Sequence, residues 1–154
     1  MQDHVYLALL PDEVLGLPLH PLVVHGAVVL IPLAALGTWV MASSGRRSVR
    51  YSPAVVFVAF VAVLSAFVAR WSGQQLQEEL GFSGAQHFEL GNYVPWVALL
   101  LFVVIVILTF MDRQNDASRN IVGKIFALVC SLIALGAVVL VVITGHSGAE
   151  LVWS

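Results

Sequence analysis

Five histidines are the residues of this sequence best suited to chemistry, because a neutral imidazole can bind a metal ion or act as an axial ligand of haem. They are His4, His20, His25, His87 and His146. His20 and His25 share the run LHPLVVHG, whereas His146 lies in TGHSG near the other end of the chain. A site that uses several of them therefore requires a fold that brings distant segments to one depth.

Long apolar segments provide such a scaffold. The chain has 154 residues, of which 60% are hydrophobic and only 10% are charged. Four segments are long enough to cross about 30 Å of hydrocarbon as helices; they are residues 21–42, 53–71, 93–111 and 121–144. The sequence predicts an all-α fold, an integral membrane four-helix bundle that forms one domain over residues 1–154. Residues 1–19 are expected to lie along the membrane surface. Residues 72–92 are expected to form an outer loop, in which residues 74–80 can continue the second helix.

The basic residues indicate how the bundle is oriented. Six of the seven fall in the two short connections or beside them, namely Arg46, Arg47, Arg50, Arg113, Arg119 and Lys124. Only Arg70 belongs to the opposite side, where seven of the nine acidic residues also lie. Because basic loops stay in the cytoplasm, both termini and all five histidines are expected on the non-cytoplasmic side.

Each histidine has a functional interpretation and a simpler one. His25 lies about one turn inside the first helix, where an ionisable side chain is expected to face the bundle interior and serve a function. His20 precedes Pro21, which disfavours helical geometry, so it is either a ligand or a helix cap. His87 is either a ligand or a solvated loop residue. His146 is either a ligand or a residue that interacts with the dipole at a helix end near glycine.

Arg70 is the other candidate for a binding site. Its guanidinium is expected to pair with haem propionates, with a lipid phosphate or with Glu78 and Glu79, and simple anchoring at the interface is the alternative. His20 and His25 are five residues apart, about 140° around a helix, so they do not form a simple chelating pair.

Residue sizes suggest how the helices pack. Ala62 and Ala66 on the second helix, and Ala127 and Ser131 on the fourth, have the four-residue spacing of small residues at close helix contacts. These two helices are therefore expected to approach closely. The third helix carries almost no small residue, which favours exposure to lipid or to a partner subunit.

Several classes of function are disfavoured. Cys130, the single cysteine, lies in the middle of a span, far in depth from every histidine, so a Cys-His nucleophile is not indicated. No Ser-His-Asp pattern is evident, and no charged residue near the bilayer midplane marks a transport path. Nucleic-acid binding is not indicated either.

Two stretches of sequence carry a family resemblance. LHPLVVHGAVVLIPLAALG resembles the HPxxVH opening of a bacterial family of four-helix membrane domains of unknown function, family number twenty-two thirty-one. TGHSGAELVW is similar to its GHxGxxLV-aromatic ending, although Gly26 and Ala149 depart from the family pattern. The resemblance implies a location in the bacterial inner membrane. It also implies redox work near a respiratory chain, with a Rieske-type or cytochrome partner.

These observations leave three hypotheses of function. The first is a redox protein that binds haem b, or a redox metal, through His25 paired with His87 or His146, with His20 and Arg70 as further candidates. Two imidazoles would favour electron transfer. The second is a copper, zinc or iron site without haem, built from His20, His25, His87 and His146. The third is a cofactor-free accessory subunit of a respiratory complex.

Overall fold

The chain folds into four long helices preceded by a minimal hairpin. The computed structural model describes the backbone of residues 13–14, 17–80 and 86–153, and the side chains of residues 23–75 and 86–150. Strands β1 (Glu13–Val14) and β2 (Leu17–Pro18) pair antiparallel. The helices are α1 (Leu19–Ala42), α2 (Gly45–Leu80), α3 (Gln86–Gln114) and α4 (Ile121–Trp153).

The helices form an antiparallel bundle in which each one packs against two neighbours. Helix α1 contacts α2 and α4, and α3 contacts the same two helices. The short connections make consecutive helices antiparallel. The six basic residues Arg46, Arg47, Arg50, Arg113, Arg119 and Lys124 therefore share one end of the bundle, the basic end. Arg70, His87 and His146 lie at the other, the histidine end.

The outer surface of the bundle confirms the expectation of a membrane protein. Each helix contains a window of at least 18 residues with a mean hydropathy of 2.0 to 3.0, of which only 28% to 39% is buried inside the bundle. Large apolar side chains such as Phe57, Phe110 and Leu128 are exposed on the outside. A helix that is apolar on all faces is stable in lipid, where its backbone groups are satisfied internally.

The prediction that α3 is the exposed helix is wrong. Helix α3 has the largest buried fraction of the four, and Leu101, Ile105 and Leu108 are almost completely buried. They fill the half of the bundle nearest the basic end together with Ile31 and Met41. Large side chains on α3 are accommodated because the helices beside it present small residues, including Ala59, Ala62, Ala127 and Ala134. The expected close approach of α2 to α4 is also not observed, because these helices are diagonal to each other.

Helix ends differ from the predicted bounds. The possible continuation of the second helix over residues 74–80 is confirmed, because α2 extends to Leu80. Residues 86–92, expected in a loop, belong instead to α3, and residues 81–85 lie outside the described part. Helix α4 continues through Gly145 to Trp153, so His146 lies within a helix and not at its end. Helix α1 already includes His20, since proline at position 21 is tolerated in a first helical turn. The expectation for residues 1–19 falls largely outside the described residues.

The basic end is held together by one buried ion pair. Arg119, in the α3–α4 connection, donates to the Asp112 carboxylate from Nε at 2.8 Å and from a terminal nitrogen at 2.6 Å. The same guanidinium donates to the carbonyl oxygens of Met41 and Ala42 at the end of α1. Only 8% of the Arg119 side chain and 2% of the Asp112 side chain are exposed. Arg119 therefore links α1, α3 and the connection to α4.

Close packing of α1 on α2 depends on Gly37. A Cβ atom at this position would lie 2.6 Å and 2.9 Å from the two Cγ atoms of Val55 and 3.3 Å from its Cβ. Because valine branches at Cβ, no rotation of Val55 removes all three contacts. The two helices must separate to accept a methyl group here.

We expect the Gly37→Ala variant to lose about 1–3 kcal/mol of stability, the usual result of overpacking a filled contact. Thermal unfolding in detergent measures this loss. Gly136→Ala is the matched control, because a Cβ at Gly136 meets no atom within 4 Å. Equal stability of the two variants would show that Gly37 is not needed for the α1–α2 contact.

Candidate functional site

A cleft at the histidine end is the candidate functional site. It lies between all four helices and encloses a cavity of about 90 Å³, below the usual range of 300–1,000 Å³ for small-molecule sites. The walls are mainly apolar, with Val24, Val28, Val94 and Val141 among them. The cleft exists because the side chains facing it are small; those residues are Ala27, Ala66, Ala69, Gly73, Gly91 and Gly145.

His87 provides the imidazole of the cleft and is held in one tautomer. Its Nδ1 atom lies 2.9 Å from the carbonyl oxygen of Thr144 on α4. A carbonyl can only accept a hydrogen bond, so Nδ1 carries the proton and Nε2 keeps its lone pair. The turn of α3 that begins at Gln86 places the ring at the edge of the cleft. Nε2 of His87 is therefore the available acceptor or metal ligand.

Gly148 makes room for this ring. A Cβ atom at Gly148 would lie 2.8 Å from Cε1 and 2.9 Å from Nδ1 of His87. The imidazole thus packs directly on the α4 backbone, one turn after the Thr144 carbonyl that accepts its hydrogen bond. Ser147 donates to that same Thr144 carbonyl at 2.9 Å, which helps to satisfy both lone pairs of the oxygen.

A second polar group lies at the cleft between α2 and α3. Arg70 Nε donates to Asn92 Oδ1 at 3.0 Å, and Gln74 Nε2 donates to the same oxygen at 3.3 Å. Among the described residues, the two terminal nitrogens of Arg70 make no hydrogen bond and no ion pair. The described residues that line the cleft include no acid, and the side chains of Glu78 and Glu79, expected partners of Arg70, lie outside the described residues.

Of the candidate side chains that the structure describes, it brings together two at the cleft, His87 and Arg70. His25 is exposed on the outside of the single chain, so the expectation that it faces the bundle interior is wrong. On α1, the residues that line the cleft are Val24, Ala27 and Val28, and His25 lies on a different face of the helix. The side chains of His4 and His20 lie outside the described residues.

His146 also points away from the cleft. Its side chain is 75% exposed, and its Nε2 atom lies 3.2 Å from Glu150 Oε1, four residues further along α4. Within the part of the chain that the structure describes, no group of three or more histidine, cysteine, aspartate or glutamate side chains could hold a metal ion.

Sequence reasoning missed four residues of this site: Gln74, Asn92, Thr144 and Gly148. Thr144 contributes through its backbone carbonyl, and a backbone contact leaves no signal in residue type. Gly148 lies two residues after His146 in the run TGHSG, where the sequence drew attention to the histidine. In the structure, Gly148 matters instead, because it accommodates the ring of a different histidine, His87.

Comparison with known proteins identifies a family but adds no characterised relative. The family model described as "Predicted membrane protein (DUF2231)" matches residues 16–154. Neither the curated proteins nor the solved structures contain a match.

Proposed function

This chain belongs to the DUF2231 family of predicted membrane proteins, and on that premise we propose that it is a membrane redox protein that binds haem b in the histidine-end cleft. His87 would hold the haem iron, and Arg70 would pair with a haem propionate. When bound, haem supplies one-electron chemistry. The protein supplies the ligand, the counter-charge and an apolar slot.

The observation that carries this proposal is the state of the His87 ring. Histidines that bind metals almost always donate the second ring N–H to a carbonyl or a carboxylate, which fixes the tautomer and increases the basicity of the ligand nitrogen. The bond from Nδ1 to the Thr144 carbonyl is such an arrangement.

The other groups at the cleft suit an amphiphilic acid. Val28, Val94 and Val141 offer apolar surface to a flat ring system, and Arg70 offers two terminal N–H groups to a carboxylate. Asn92 holds the guanidinium through Nε, so the nitrogens that remain are those that form bidentate pairs. Haem is larger than the enclosed cavity of about 90 Å³, so the helices would have to separate or the haem would extend from the cleft.

The proposal assigns one axial ligand to the chain, because His25 and His146 do not line the cleft. The six basic residues at the opposite end support an orientation in which the cleft opens to the non-cytoplasmic side of a bacterial inner membrane. Electron exchange at that face would suit a Rieske-type or cytochrome partner in a respiratory chain.

The visible absorption spectrum of the detergent-purified protein, oxidised and then reduced with dithionite, tests the proposal together with metal analysis. We expect a reduced α-band and stoichiometric iron. A colourless protein that holds copper, zinc or iron would contradict haem binding and favour a metal site without haem. A protein without any metal would contradict the proposal and favour a cofactor-free accessory subunit.

His87→Gly is the variant that identifies the ligand. We expect it to lose the α-band, because no other described imidazole lines the cleft, and to regain it when free imidazole is added. His146→Ala is the control, since its ring lies on the exposed face of α4. If His146→Ala loses haem while His87→Gly retains it, haem does not bind in the cleft.

A further inference from the structure

A groove at the basic end lies apart from the histidine-end cleft and is not used by the proposed redox function. It runs between α1 and α4, opens on the outside of the bundle and has a volume of about 640 Å³. Helix α1 contributes Trp39 and Ala42 to it, the turn after α1 contributes Ser43, and α4 contributes Lys124, Ala127 and Leu128. The buried alanine at position 127 is one reason that the two helices leave space here.

The lining of the groove changes from polar to apolar along the helix axis. Lys124, Leu128 and Ser131 follow one face of α4 at four- and three-residue spacing, so Lys124 is nearest the end of the helix. Ser43, directly after the end of α1, likewise lies closer to the basic end than Trp39. Trp39 is fixed in the groove because its indole N–H donates to the Ser131 carbonyl at 3.1 Å. The polar end thus lies where lipid headgroups begin, and the apolar part lies at the depth of acyl chains.

The groove carries a net positive charge. Arg119 borders it, but Asp112 neutralises that guanidinium. Lys124 is exposed and forms no ion pair with any described residue. The described residues that line the groove include no acid. Lys124 therefore supplies an unbalanced charge directly above an apolar channel.

We infer that this groove binds an anionic phospholipid, with its phosphate and headgroup at Lys124 and an acyl chain along Ala127, Leu128 and Trp39. Basic pockets between transmembrane helices commonly bind anionic headgroups. A zwitterionic phospholipid fits the apolar part equally well, but its headgroup gains little from Lys124. Discrimination between the two lipid classes is the measurable consequence.

Fluorescence of Trp39 measures occupancy of the groove. In a variant with Trp71, Trp96 and Trp153 replaced by phenylalanine, Trp39 is the sole tryptophan. This variant is reconstituted into phosphatidylcholine vesicles that contain a small fraction of a chain-brominated lipid, either phosphatidylglycerol or phosphatidylcholine. We expect brominated phosphatidylglycerol to quench Trp39 more strongly than brominated phosphatidylcholine does.

Lys124→Ala should reduce the preference for phosphatidylglycerol about fivefold, the usual contribution of one basic residue near a membrane surface. Arg50→Ala is the matched control, because Arg50 is exposed at the same end but stacks on Tyr51, away from the groove. Equal quenching by the two brominated lipids, or equal losses in the two variants, would overturn the inference. If the three replacements prevent folding, native mass spectrometry of the unaltered protein compares retention of the two lipids with the same criteria.

Discussion

Replacement of Arg119 by alanine is expected to lower the free energy of unfolding by about 3–5 kcal/mol, the loss typical when one partner of a buried ion pair is removed. The variant leaves the Asp112 carboxylate buried without its counter-charge. It also leaves the carbonyl oxygens of Met41 and Ala42 without the donor that satisfies them. Both losses occur at the same place, where the end of α1 meets the α3–α4 connection.

Unfolding in detergent by heat or by added dodecyl sulfate measures this effect. Arg113→Ala is the control, because Arg113 is exposed and makes a single bond of 3.3 Å to Ser52 Oγ; a change below about 1 kcal/mol is expected. In the double variant Arg119→Met with Asp112→Leu, no charge is stranded, so part of the stability should return. A loss in Arg119→Ala no larger than that in Arg113→Ala would show that the ion pair does not hold the basic end.

The number of helices and their membrane character could be predicted from the sequence because both depend on properties of single segments. Four apolar runs of spanning length leave helices as the only structure that satisfies the backbone in lipid. The positions of the helix ends were harder to predict from the sequence. Gln74 and Gln75 are good helix formers, so α2 continues beyond its apolar part, and nothing in the hydropathy marks where it stops.

The packing of the bundle could not be read from single helices. Small residues at Ala62 and Ala66 indicate that something approaches α2 closely, but they do not identify the neighbour. The neighbours of α2 are α1 and α3, and α4 lies on the diagonal. For the same reason the large side chains of α3 were expected to face lipid. Whether a leucine such as Leu101 faces lipid or the interior depends on which helices carry alanine opposite it.

The candidate site followed the same pattern. The sequence predicted that His87 and Arg70 lie at the same end of the bundle, and both line one cleft, because topology fixes which segments share a depth. Residue types did not show which histidines turn inward. His25 and its neighbour Val24 differ by about 100° around α1, and that rotation decides which of them lines the cleft. Tertiary packing sets this rotation of α1. Hydropathy does not predict it, since the membrane-spanning helices are apolar on all faces.

Gly148→Ala is the second change for which a large effect is expected, and it acts through His87. The added methyl group would lie within 3 Å of Cε1 and Nδ1, so the ring must move away from α4 and its hydrogen bond to the Thr144 carbonyl lengthens or breaks. The imidazole is then free to change tautomer and direction. Loss of such an orienting partner typically lowers metal affinity 10- to 100-fold, and we expect a decrease of this size in haem affinity.

Two measurements separate the position of the ring from its role as a ligand. Nitrogen NMR of the cofactor-free protein, labelled at histidine, reports the tautomer; His87 should show a protonated Nδ1 in the natural chain and a mixture in Gly148→Ala. Haem titration of the same two proteins then reports affinity. Gly136→Ala, on the same helix with open space around the added Cβ, should change neither. A shifted tautomer with unchanged haem affinity would show that His87 is not a haem ligand. An unshifted tautomer would show that the α4 backbone, and not the His87 ring, moves to accommodate the added methyl group.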